Sequence, residues 1–159
     1  VRMVLPFATA LLCCLLSVMT WPIPFFGAVA PPLALMAVYY WTVHRPDLFG
    51  PISAFTIGLV NDIVNDLPMG LSALLFVAAH QIILLQRRFF SGHSFSMLWV
   101  GFILCVTLTM ISAEILLSLR NWQYVPFTPI FMQILLAVIV FPLPCWLLIR
   151  LQRVALTQG

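Results

Sequence analysis

Six apolar stretches run the length of this chain, with ten of its 12 prolines at their ends or in the turns between them and most of its charges in the seams. They cover residues 3–20, 27–43, 51–66, 69–86, 95–119 and 129–150. A transmembrane helix needs about 20 mostly apolar residues, so these stretches consume nearly all of the 159 residues. The charge inventory is seven Arg, no Lys and four acidic residues, 7% of the chain. A soluble domain carries about 25% charged residues, so this chain cannot clothe a water-facing surface. The expectation is an all-α polytopic membrane protein, a single integral membrane domain over residues 1–159 with six transmembrane helices. No length remains for a separate soluble domain.

Proline places the breaks. Trp21-Pro22-Ile23-Pro24 reads as an aromatic and proline turn at a membrane interface. Tyr39, Tyr40 and Trp41 read as an aromatic belt before the polar turn His44-Arg45-Pro46-Asp47. Leu67-Pro68-Met69-Gly70 turns the chain between the third and fourth stretches, and Arg87 to His93 reads as a basic loop. Pro142 and Pro144 fall inside the sixth stretch and should kink it, since each removes a backbone hydrogen bond.

Arginine placement orients the bundle. With the N-terminus inside and six crossings, Arg2, Arg45, Arg87, Arg88, Arg150 and Arg153 lie on the cytoplasmic side and only Arg120 outside. The reverse topology inverts that bias and violates the positive-inside rule. Both termini are therefore expected in the cytoplasm. A signal peptide cut after Ala28-Val29-Ala30 is the rival reading, disfavoured by its long apolar core and by Pro31 beyond the cut. A net charge of +3 scattered over loops is no phosphate-binding face, which argues against nucleic acid as a partner. Cys13, Cys14, Cys105 and Cys145 lie in apolar runs without CxxC spacing and read as buried, inert thiols.

Ionisable groups at membrane depth are costly and tend to be functional. Asp62 lies about 16 Å along a helix beginning at Pro51, near the midplane or in the outer half, and Asp66 follows four residues on. Asn61 and Asn65 form a second such pair beside them. His80 on the fourth stretch, Glu114 late in the fifth and Arg120 at its end complete an outer group. Two readings stand side by side. One is a polar network gluing helices through interhelical hydrogen bonds worth about 1 kcal/mol each. The other is a pocket or partner site opening outward, with Arg120 as counter-ion to Glu114 or Asp66.

Catalytic and metal chemistry find little support. Ser72 and His80 are eight residues apart on one helix, about 12 Å, whereas a nucleophile and its base need about 3 Å. Asp62 sits in Gly58-Leu59-Val60-Asn61-Asp62, which lacks the second glycine of an intramembrane aspartyl protease, and no other helix supplies a convincing second Asp. No HExxH, phosphate loop or dinucleotide fingerprint occurs, so neither enzyme activity nor a cofactor is expected. Small residues instead mark a close hairpin of the third and fourth stretches: Ser53, Ala54 and Gly58 against Gly70, Ser72, Ala73, Ala78 and Ala79.

Tyr39-Tyr40-Trp41, then Arg45-Pro46, then Gly58-Leu59 with Asp62, then Pro68-Met69-Gly70-Leu71-Ser72-Ala73-Leu74, taken in this order and spacing, resembles the MreD family of rod shape-determining proteins. The specific part covers residues 39–75, while the hydropathy pattern fits throughout. One departure is Asn65-Asp66-Leu67, where many members carry a Ser/Gly-rich turn. The resemblance implies a six-helix fold similar to the S-components of energy-coupling-factor transporters. It implies a non-enzymatic scaffold of the bacterial inner membrane, working with the bitopic protein MreC, the elongation-specific peptidoglycan synthases and, indirectly, MreB filaments. Arg45, Pro46, Gly58, Pro68 and Gly70 are then the hairpin motif, and Asp62, Asp66, His80, Glu114 and Arg120 the partner-binding or structural network. The alternative is a small-molecule-binding component of a transporter.

Overall fold

A computed structural model describes residues 4–17, 31–90, 95–121 and 127–156. Among these residues there are seven helices and no strand: α1 Val4–Leu16, α2 Leu33–His44, α3 Pro51–Val64, α4 Leu71–Phe90, α5 Phe95–Asn121, α6 Phe127–Val140 and α7 Pro142–Leu156. The turn expected at Trp21–Pro24, the Ala28–Ala30 segment and residues 91–94 and 122–126 lie outside the described residues.

The shortest helix holds the centre. α2 touches α1, α3, α4, α5 and α7, and every residue from Ala34 to Thr42 is buried. A helix apolar on all sides has no solvent stripe to present, so it belongs in the interior. This corrects the aromatic belt: Tyr39, Tyr40 and Trp41 are at most 1% exposed and form part of the core. Their polar atoms need partners at such depth. The Trp41 indole N–H donates to Thr9 Oγ1 at 2.9 Å, and the Tyr39 hydroxyl donates to the Leu98 carbonyl at 2.9 Å. The Tyr39 ring also meets Phe102 and Phe141 edge-on at 5.4 and 5.9 Å, while those two stack at 4.0 Å. Together they join α2, α5 and the α6–α7 junction.

That junction is where the proline pair acts. Ile130–Val140 and Pro142–Leu151 bend by 41° at Phe141. Pro142 has no N–H to give the Val138 carbonyl four residues back. Trp99 of α5 fills the vacancy, its indole N–H reaching that carbonyl at 3.1 Å. A neighbouring helix re-satisfying a freed carbonyl is what makes such a break tolerable in lipid.

The outer faces are apolar. Along α5, Leu104, Leu108, Ile111, Ile115 and Leu119 are all exposed, a stripe that suits lipid and not water. Ser96–Arg120 is long and apolar enough to cross a membrane, and the bent α6–α7 pair makes a second such segment if taken as one. The other apolar helices, Val4–Leu16, Pro51–Val64 and Leu71–Gln86, are shorter than a full crossing. Six complete crossings therefore do not follow from helix length, whereas the all-helical fold does. A further difference lies at Arg87 and Arg88: α4 continues through both to Phe90 where a loop was expected, in keeping with the good helix propensity of Arg.

Candidate functional site at the α3–α4 turn

The residues Asn61 to Ser72 form a turn in which one side chain manages both helix ends. α3 stops in a Schellman arrangement: Asn65 N–H bonds the Asn61 carbonyl at 3.1 Å, and Leu67 N–H reaches back to the Asp62 carbonyl at 2.9 Å. Asp66 takes the left-handed position at φ 52°, a conformation Asp tolerates better than most residues. Pro68 then prevents the helix from resuming, and its carbonyl accepts Leu71 N–H at 3.1 Å.

α4 starts on the Asp62 side chain. Oδ2 accepts Gly70 N–H and Oδ1 accepts Ser72 N–H, each at 2.8 Å. The first turn of a helix has backbone donors with no internal partner, and a carboxylate also suits the positive end of the helix dipole. The usual cap is the adjacent Ser, Thr, Asp or Asn. Here the cap position is Gly70, held at φ 95° where L side chains are strained, so the capping group comes from the preceding helix. Asp62 is 0% exposed, and these bonds are what make its burial tolerable.

Two further contacts lock the hairpin. Asn61 Nδ2 donates to Ser72 Oγ at 3.0 Å, and Asn61 Oδ1 accepts from Asn65 Nδ2 at 3.1 Å. Gly58 lies directly against Ala73: a Cβ built on it would fall 2.6 Å from the Ala73 nitrogen and 2.8 Å from the Ser72 carbonyl carbon. Those are backbone atoms, which cannot swing aside. Glycine is needed at this crossing for space, and at position 70 for conformation.

The other residues singled out from sequence do not gather here. His80 is 1% exposed, and its Nδ1 pairs with Thr42 Oγ1 at 2.9 Å. That is the C-terminal half of α2, away from Asp62. Asp66 and Arg120 are exposed. Glu114 is half-buried, and its Oε2 is enclosed with no hydrogen-bond partner among the described residues, so Arg120 does not serve that oxygen as counter-ion. At the opposite end, Arg45 N–H closes α2 on the Trp41 carbonyl at 2.8 Å, and the Arg45 carbonyl accepts Leu48 and Phe49 N–H across Pro46. Arg45 Nε is buried with no hydrogen-bond partner among the described residues.

Beside the turn lies a cavity of about 270 Å³, bounded by the end of α1, the start of α2, the α3–α4 turn, α5 and the start of α6. Its polar lining is Ser17, Asn61, Asn65, Ser72, Thr109, Glu114 and Gln133. Gln133 was overlooked in the sequence, although an amide inside the run FTPIFMQILLAVIV is visible by the same argument that marks Glu114. Thr42, the partner of His80, carries no such signal. Among the described residues, no group of three or more His, Cys, Asp and Glu side chains could hold a metal ion.

A family model described as rod shape-determining protein MreD matches residues 1–153. The chain belongs to the MreD family. It is thereby a membrane protein of rod-shape determination, from a family of shape-determining structural proteins. An uncharacterized protein of Rickettsia prowazekii (strain Madrid E) is 24% identical over 136 residues, covering 83% of this chain and 77% of the relative. No solved structure matches.

Proposed function

We propose that this member of the MreD family is a multi-pass scaffold of the bacterial inner membrane with both termini cytoplasmic. It holds the single-span partner MreC and so couples MreB filaments to the elongation-specific peptidoglycan synthases. The observation that carries the reading is the family match over residues 1–153. The α3–α4 lock supports it, because a scaffold needs a rigid body. Asp62 closes the turn with two side-chain bonds and one backbone bond, and Gly58 fixes the crossing by backbone contact. Lipid-facing apolar surface, such as that of α5, is the kind against which a single-span helix packs.

The test is depletion in the native rod-shaped host, following cell width and sidewall peptidoglycan incorporation by microscopy, with MreC co-purification from the same cells. Rounding and lost sidewall synthesis are expected. The wild-type chain restores both, while Asp62→Asn inserts normally but restores them poorly and retains less MreC. Unchanged shape on depletion sinks the scaffold reading. Full rescue by Asp62→Asn with undiminished MreC removes the hairpin from it.

A further inference from the structure

The cavity beside the α3–α4 turn has a polar side that carries one acidic group, Glu114. The Ser17 hydroxyl donates to the Cys14 carbonyl at 2.6 Å, and the Thr109 hydroxyl donates to the Cys105 carbonyl at 2.8 Å. Asn65 Nδ2 is committed to the carbonyl and Oδ1 of Asn61, and Asn61 Nδ2 donates to Ser72. The Ser17 and Thr109 hydroxyls thus spend their single donors on their own helices and keep oxygen lone pairs as acceptors, while Gln133 adds a further amide to the wall. Glu114 adds a carboxylate to the lining, and its Oε2 has no hydrogen-bond partner among the described residues. Among the described residues, no Arg, Lys or His lines the cavity. The remaining walls are apolar, among them Pro31, Leu35, Leu71, Phe76 and Met110.

A volume of about 270 Å³ is close to the lower end of small-molecule sites, about 300 Å³ and upward. Anions are disfavoured by the Glu114 carboxylate on the wall, and a neutral alcohol offers a single donor. A protonated amine brings three donors and the charge opposite to a carboxylate. We propose that this cavity binds a primary ammonium group on an apolar body, with Glu114 as its counter-charge and the Ser17 and Thr109 hydroxyls as further acceptors. The site is separate from the scaffold role, because it needs no partner protein to be complete. Two sources share this chemistry, a free amine and the headgroup of phosphatidylethanolamine.

The test uses the full chain in nanodiscs of phosphatidylglycerol and phosphatidylcholine, titrated with phenethylamine and, as shape-matched controls, phenethyl alcohol and phenylacetate. Saturable binding of the amine is expected, about tenfold or more tighter than the alcohol, with no binding of phenylacetate. Glu114→Gln should erase the preference for amine over alcohol. Ala113→Leu, which fills the cavity without touching Glu114, should abolish saturable binding. Replacing phosphatidylcholine by phosphatidylethanolamine separates the sources: a weakened apparent affinity identifies the headgroup as occupant, and an unchanged one identifies a free amine. Equal affinity for amine and alcohol overturns the proposal, as does absence of saturable amine binding to the wild-type chain. An amine preference that survives Glu114→Gln overturns it too.

Discussion

Asp62 and Glu114 are both carboxylates set among apolar helices, and their surroundings could hardly differ more. Asp62 accepts two backbone N–H groups at 2.8 Å and has no exposed surface. Glu114 lies on a cavity wall with one oxygen enclosed and unpaired. A satisfied buried acceptor contributes to folding, whereas an unsatisfied one costs stability and awaits a donor. An acidic residue buried among apolar helices therefore has no fixed meaning. Its role follows from whether the protein itself completes its hydrogen bonds.

Substitutions put this contrast to the test. The largest effect is expected at the crossing that brings Asp62 to α4. Gly58→Leu places side-chain atoms where the Ala73 and Ser72 backbone already lies, at a cost of more than about 3 kcal/mol. Little folded protein should be extracted in mild detergent, and wild-type yield would show that the hairpin can reopen freely. Next, Asp62→Ala leaves Gly70 and Ser72 N–H without acceptors. It should cost about 2–4 kcal/mol in SDS-induced unfolding from mixed micelles. Thr42→Val, removing the partner of His80, should cost about 1 kcal/mol in the same assay. Glu114→Gln should not destabilise, since it removes no bond from Oε2 and relieves an unsatisfied buried acceptor. If it destabilises as much as Asp62→Ala, the contrast between the two carboxylates collapses.

Much of the fold was legible along the chain. Pro142 and Pro144 announced a break, and the helix bends by 41° at Phe141. Gly58, Gly70, Ser72 and Ala73 announced a close hairpin, and the contact falls on Gly58 and Ala73. The aromatic run failed for an instructive reason. Tyr and Trp suit an interface because one end of each ring is polar, but Thr9 and the Leu98 carbonyl supply that polarity inside the bundle. The outer polar group was only partly legible. Depth along a helix follows from residue number, whereas direction around the bundle does not. His80 thus turned to Thr42, while Glu114 turned to the cavity.

Apolar run length, proline position and charge scarcity act through the nearest few residues and the surrounding medium. They are sufficient for an all-helical chain suited to lipid, and for where its helices break. Which acceptor meets which donor depends on helix crossings that join residues far apart in sequence. Asp62 with Ser72, Trp99 with the Val138 carbonyl and Thr42 with His80 are pairings of that kind. Each was decided by the bundle, because a buried polar atom takes whichever partner the packing brings within reach.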